Sequence, residues 1–167
     1  MKKVFVDGRA GTTGLRIMKR LEARGDIRLI ALDDAQRRDI AFRKAALNEA
    51  DAAFLCLPDD AAREAVALLE NPDTVVLDAS TAHRTDPGWA YGLPELGDEY
   101  AQRVKRSRRI AVPGCHATGF LALVGPLVAE GLIPKDALLS AFSLTGYSGG
   151  GKAMIAQYEG EGRDAAL

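Results

Sequence analysis

Two short stretches hold residue types whose spacing could do chemistry. In Pro113-Gly114-Cys115-His116-Ala117-Thr118-Gly119 a thiol follows a short apolar run and opens a helical pattern. A helix N-terminus stabilises negative charge, so a cysteine placed there is favoured as the reactive thiolate. Pro113 and Gly114 fix the approach of the chain and leave room beside the sulfur. Cys115 is the candidate nucleophile. Cys56 sits in a strand-like run and reads as a structural thiol. His116 is adjacent to the nucleophile, but neighbours in a helix point in different directions, which makes it a poor base for that thiol. No separate His and Asn or Asp set stands at a hydrolase-like spacing.

The second stretch is Gly8-Arg9-Ala10-Gly11-Thr12-Thr13-Gly14, between an apolar strand pattern and a helical one. Such a turn aims backbone amides and the positive helix end at one spot, where a pyrophosphate can sit. The spacing GxxGxxG is less diagnostic than GxGxxG, so a purely structural turn is the competing reading. Asp33 and Asp34 close the second strand pattern, where an acid commonly binds the ribose hydroxyls of NAD. Arg37 and Arg38 follow, and arginine there can meet the 2′-phosphate of NADP. Spacing leaves both open. Polar donors recur in Asp78-Ala79-Ser80-Thr81-Ala82-His83-Arg84 and in Gly146-Tyr147-Ser148-Gly149-Gly150-Gly151-Lys152. Ser80 and Arg84 could hold an anionic substrate group, as could Tyr147, Ser148 and Lys152; plain surface loops are the alternative.

These residues need a scaffold. Strands are expected at 3–7, 27–32, 52–57, 74–77 and 109–112, alternating with helices that include 40–48 and a helix to Glu70 capped by Asp59. Apolar strands separated by helices imply a Rossmann-like, doubly wound parallel α/β sheet, with the cysteine at its carboxyl edge. Beyond Pro113 a helix at 115–130, a strand at 138–145, a flexible glycine loop and a charged end at 159–163 follow. One strand makes no sheet. Residues 1–113 are therefore expected to be a dinucleotide-binding domain and 114–167 the truncated start of a second, α+β domain. With 167 residues, 47% hydrophobic, 27% charged and a net charge of −1, the composition is that of a soluble globular protein. Nucleic acid and membrane are not expected partners, and two distant cysteines give neither a disulfide framework nor a metal site. The cytoplasm is the expected location.

GRAGTTG at 8–14, DASTAHR at 78–84, GLPEL at 92–96, PGCHATG at 113–119 and TGYSGGGK at 145–152 together resemble the N-acetyl-gamma-glutamyl-phosphate reductases, in their shorter branch. The resemblance runs over the whole chain. It implies an NADPH-dependent enzyme of arginine biosynthesis that reduces an acyl phosphate to the semialdehyde through a cysteine thioester. It also implies Cys115 as the catalytic residue, with Gly8, Gly11 and Gly14 matching the cofactor turn; the expected cofactor site is that whole turn, Gly8, Arg9, Ala10, Gly11, Thr12, Thr13 and Gly14, with Arg37. Ser80, Arg84, Ser148 and Gly149 are its implied substrate contacts, and it tips the cofactor towards NADP. The family commonly has tyrosine where this chain has His116. Its catalytic histidine lies downstream of the glycine-rich loop, so this sequence is expected to be the N-terminal half of such an enzyme, which as a full-length chain forms a homo-oligomer. Aspartate-semialdehyde dehydrogenase, similar in fold and chemistry, and a non-catalytic nucleotide-binding fragment are the alternatives.

Overall fold

The computed structural model describes residues 1–8 and 11–160; the side chains of Thr12, Ser148, Gly151, Lys152 and Ala153 lie outside that description. Six strands form one sheet: β1 (Lys2–Asp7), β2 (Ile27–Ile30), β3 (Ala52–Leu55), β4 (Val75–Asp78), β5 (Ala90–Tyr91) and β6 (Arg109–Ala111). Every pairing is parallel, in the spatial order β2-β1-β3-β4-β6-β5. The helices are α1 (Thr12–Glu22), α2 (Ile40–Glu49), α3 (Asp59–Ala67), α4 (Asp98–Arg106), α5 (Cys115–Ala129) and α6 (Gly151–Glu159). This is the expected Rossmann-like sheet. From β1 the chain steps outward to β2, then returns past β1 to β3. With right-handed crossovers that reversal sends α1 and α2 to opposite faces and opens a crevice at the carboxyl ends of β1 and β3.

The core explains why these segments become strands and helices. Phe5, Ala53, Leu55, Val76 and Ala111 are buried from the sheet, and α2, the residue after it and α3 bring small side chains, Ala46, Ala50, Ala62 and Ala65, beside Leu47. Alanine lets a helix backbone approach a sheet closely while keeping helix propensity. The buried Thr74 hydroxyl donates to the carbonyl of Ala50 at 2.9 Å, tying the end of α2 to the start of β4.

Several expectations need correction. β5 and α4 went unread; β5 has only two residues, too few for a periodic signal. α4 carries Asp98 and Glu99 in its first turn and Arg103, Lys105 and Arg106 in its last, the charge order that a helix dipole favours. Asp59 does not cap α3. It is that helix's first residue, and its carboxylate accepts instead from the amide of Thr81 at 2.9 Å and from the Thr81 hydroxyl. The strand expected at 138–145 does not form: no strand among the described residues pairs with it, and Leu138, Phe142 and Leu144 are exposed. The glycine-rich loop is mostly helical, a 3-10 turn over Tyr147–Gly150 leading into α6. Arg9, Ala10 and the charged end beyond residue 160 lie outside the described residues.

One buried ion pair braces the first strand. Asp7, the last residue of β1, accepts from Nε and Nη2 of Arg43 on α2 at 3.1 and 3.0 Å, with both side chains largely out of solvent. Removing one partner leaves a buried charge uncompensated. Arg43→Ala is expected to lower the unfolding free energy by about 3–5 kcal/mol in urea titrations; a loss under about 1 kcal/mol contradicts the pairing.

Candidate functional site

The last paired residues of four adjacent strands, Asp7, Leu55, Asp78 and Ala111, stand level across the sheet. The ladder continues one residue further, with Cys56 N donating to Asp7 O at 2.8 Å, Ala79 N to Leu55 O at 2.9 Å and Val112 N to Asp78 O at 2.7 Å. The glycine turn leaves this edge from β1, and the cysteine turn leaves it from β6. At about 4.8 Å per strand, three intervals separate them by roughly 14 Å.

Gly8 shows why the first turn requires glycine. Its φ is +83°, and a Cβ there would lie 2.1 Å from the carbonyl oxygen of Cys56. Only a residue without a side chain fits between the two strand ends. Gly11 N donates to Gly8 O at 3.1 Å, and Gly11 then stands at the N-cap of α1 with no side chain capping that helix. The first-turn amides of a helix have no partner inside it, so these are left for an anion. A pyrophosphate fits this cradle. Gly14 is buried in α1, and Thr13 lines a cleft with Arg16, Arg20, Gly149 and Ile155. Arg37, in the 3-10 turn after β2, pairs with Asp34, and its Nε donates to the carbonyl of Asp33 at 3.3 Å. Asp33 turns its own carboxylate back on the amides of Ala35 and Gln36, at 2.9 and 2.8 Å.

Cys115 is the first residue of α5, exposed, with Gly114 at the N-cap and no capping side chain. The Gly114 carbonyl accepts from both the amide and the hydroxyl of Thr118, at 2.8 and 2.9 Å, which closes the first turn. Beside the thiol runs a groove of about 570 Å³, lined by His116, Phe120, Leu123, Phe142 and Leu144 among others. His116 meets the Ser143 hydroxyl with its Nδ1. Gly125 of α5 faces Leu96, so the GLPEL segment supports the same helix.

Ser80 and Arg84 both hydrogen-bond within the protein. Ser80 is buried, and its amide and hydroxyl donate to the fully buried Asp78 at 2.9 and 2.7 Å. His83 Nδ1 meets the same carboxylate at 2.7 Å, and its ring stacks on Trp89 with centroids 4.2 Å apart. Arg84 donates to the carbonyls of Val112 and Ala79 at 3.0 and 3.2 Å. Gly149 comes to α1 rather than into the Cys115 groove, and Ser148 and Thr12 have no described side chain. The Asp7–Arg43 and Asp78–His83–Trp89 contacts were missed, because only the fold brings those side chains together. Among the described residues no three His, Cys, Asp or Glu side chains gather as metal ligands, and no helix is long and apolar enough to cross a membrane.

Comparison with known proteins decides the family. The family model for the semialdehyde dehydrogenase NAD-binding domain matches residues 3–103. The chain belongs to the semialdehyde dehydrogenase family. The cofactor of this family's matched domain is a nicotinamide dinucleotide, in keeping with the cradle at Gly8. The chain is 54% identical over 159 residues to N-acetyl-gamma-glutamyl-phosphate reductase 2 of Pseudomonas putida, covering 95% of this chain and 51% of that protein. It is 51% identical over 163 residues to the N-acetyl-gamma-glutamyl-phosphate reductase of Chelativorans sp., covering 98% and 53%. The motif resemblance thus holds along nearly all of this chain, and the chain spans about half the length of the relatives it matches. The fold is also that of the aspartate semialdehyde dehydrogenase from Francisella tularensis, at a TM-score of 0.69 and 18% identity, over 94% of this chain and 48% of that one.

The two thiols of this semialdehyde dehydrogenase relative differ in accessibility. Burial, with Asp7 and Asp78 on either side, pushes the Cys56 thiol up to about 11. Iodoacetamide at neutral pH is expected to label Cys115 and spare Cys56 in the folded chain; equal labelling contradicts the placement. Unfolding returns Cys56 to an ordinary thiol, near ~8.5. As pH rises past that value the unfolded chain loses its proton first, so this contribution to stability is whole below it and lost by about 11. Urea midpoints should fall across that window by less in Cys56→Ala than in the parent.

Proposed function

We propose that this chain is the cofactor- and nucleophile-bearing half of an enzyme that reduces N-acetyl-gamma-glutamyl phosphate to the semialdehyde with NADPH. The observation that carries the reading is the exposed Cys115 at an uncapped helix N-terminus, on the same sheet edge as the glycine cradle. The relatives' shared name supports the substrate.

In this reading the Cys115 thiolate attacks the acyl carbon, the carbon–oxygen bond to phosphate breaks, and inorganic phosphate leaves a thioester on the sulfur. The uncapped first-turn amides of α5 stabilise charge on the carbonyl oxygen as it develops. A nicotinamide dinucleotide, when bound, would supply the hydride, and the Cys115 thioester would accept it as the thiohemiacetal anion. The negative oxygen of that adduct re-forms the carbonyl as the carbon–sulfur bond breaks, which releases the aldehyde and regenerates the thiolate. Gly8, Gly11 and the N-terminus of α1 hold the pyrophosphate; Arg9, Ala10, Thr12, Thr13 and Gly14 belong to the cofactor site by the sequence motif alone. Arg37 trades its contact with Asp34 for a 2′-phosphate, which makes the cofactor NADP. Ser148 and Gly149 belong to the substrate and cofactor cleft. His116, with Nδ1 on Ser143, takes no proton in this scheme, and the acid-base partner comes from the part of the enzyme beyond this half. Residues 114–167 begin the second domain. The enzyme works in the cytoplasm as a homo-oligomer.

Acylation separates this reading from its rivals. Incubated with N-acetyl-gamma-glutamyl phosphate, the chain is expected to release phosphate and gain one acyl group on Cys115 by peptide mass spectrometry, and Cys115→Ser to gain none. Acylation by aspartyl phosphate alone would move the assignment to aspartate-semialdehyde dehydrogenase, and no acylation by either would leave a nucleotide-binding fragment. For the cofactor, Arg37→Ala should weaken NADPH binding by about tenfold in fluorescence titrations, the loss of one charge-assisted contact, with NADH unchanged. An equal loss for both cofactors contradicts the role of Arg37.

A further inference from the structure

We infer that Arg84 is a positioning residue for Cys115: its guanidinium clamps the outgoing backbone of β6 to that of β4 and sets the turn that presents the thiol. Nε donates to the carbonyl of Val112 at 3.0 Å and Nη2 to the carbonyl of Ala79 at 3.2 Å, so one planar group bridges two strand exits. A Cβ on Gly114 would lie 2.7 Å from Nη1. The guanidinium therefore lies directly against the residue before the nucleophile, and Gly114 is small where the arginine needs the space.

The loop that delivers Arg84 is itself fastened. Asp78 accepts from the amide and hydroxyl of Ser80 and contacts Nδ1 of His83, and the Ala82 amide donates to the Ser80 hydroxyl at 3.1 Å. From outside, Thr81 is held by the Asp59 carboxylate at the start of α3, and these donors keep that carboxyl below the ordinary range. A chain of contacts thus runs from α3 through the 78–84 loop to the first turn of α5. A side chain with both strand-exit carbonyls satisfied is a brace, and this assigns Arg84 to the orientation of the nucleophile instead of the substrate's anionic group. Lysine cannot replace it, since a single ammonium on a flexible stem does not reproduce a planar two-point bridge.

This role rests on Cys115 being the nucleophile of the proposed reaction, yet its test reads the thiol directly. The rate of Cys115 alkylation by iodoacetamide, at fixed neutral pH and followed by peptide mass spectrometry, is compared in the parent chain, Arg84→Lys, Gly114→Ala and the double variant. Circular dichroism and thermal midpoints are recorded alongside. Arg84→Lys keeps the charge and loses the bridge, whereas Gly114→Ala keeps the arginine and displaces it. Each single variant is expected to slow Cys115 by at least about threefold, and the double variant to be no slower than the slower single, because both act through one contact. Cys56 stays unlabelled throughout. A parent-like rate in Arg84→Lys, additive effects, or Cys56 becoming reactive would overturn the assignment, the last by showing a general loosening of the fold. Failure of acylation with intact alkylation contrasts counts against the reaction and leaves the brace standing. If Arg84→Lys does not fold, Gly114→Ala alone decides, since a parent-like rate there contradicts the clamp.

Discussion

Asp78 has no exposed surface, and the carboxyl edge of the sheet depends on how its charge is met. Taking a carboxylate out of water costs several kcal/mol unless donors replace the lost hydration. Here an amide, a hydroxyl and an imidazole do so. Satisfying Asp78 folds the 78–84 loop back over the strand end, and that return brings Arg84 to the β6 exit. Asp7, two strands away, poses the same problem and is met by Arg43 from α2. Between them lies Cys56, and the two carboxylates together with burial keep it a thiol.

Two turns on one edge then acquire different characters from different local needs. After β1 the chain must pass the Cys56 carbonyl, which admits only glycine, and the tight passage leaves helix amides uncapped. After β6 the chain is clamped from below by Arg84, and the helix begins at the cysteine itself. The first arrangement suits a phosphate. The second presents a sulfur. Neither depends on the groove beside α5, whose apolar lining comes from residues that pack little against the sheet.

Much of the architecture could be read from the residues. β1 to β4 and β6 are apolar runs closed by glycine, proline or acid, and Cys115 follows from a proline, a glycine and a helix start. The misreadings share a physical cause. Residues 138–145 have strand-like composition but no partner among the described residues, and a strand is defined by its ladder rather than by its own sequence. β5 is too short to show a period. Asp59 was assigned by residue type to a cap, whereas its carboxylate holds Thr81, a neighbour that only the fold brings near; the partners of Ser80 and Arg84, Asp78 and the carbonyls of Ala79 and Val112, are likewise contacts that only the fold shows. A side chain's partner is a tertiary fact wherever the loop between them is long.

The order of the strands has a consequence for how the molecule is made. Among the described residues β6 is the last strand in sequence, yet it lies inside the sheet, with β4 on one side and β5 on the other. A growing chain that has released β1 to β4 can already zip those four together, while β5 has nowhere to dock. Only when β6 emerges from the ribosome do the two place each other, and the turn to Cys115 is the next segment out. Cys115 is therefore seated in the same event that closes the sheet, and a nascent chain stalled short of it carries the turn at Gly8 without the turn at Cys115.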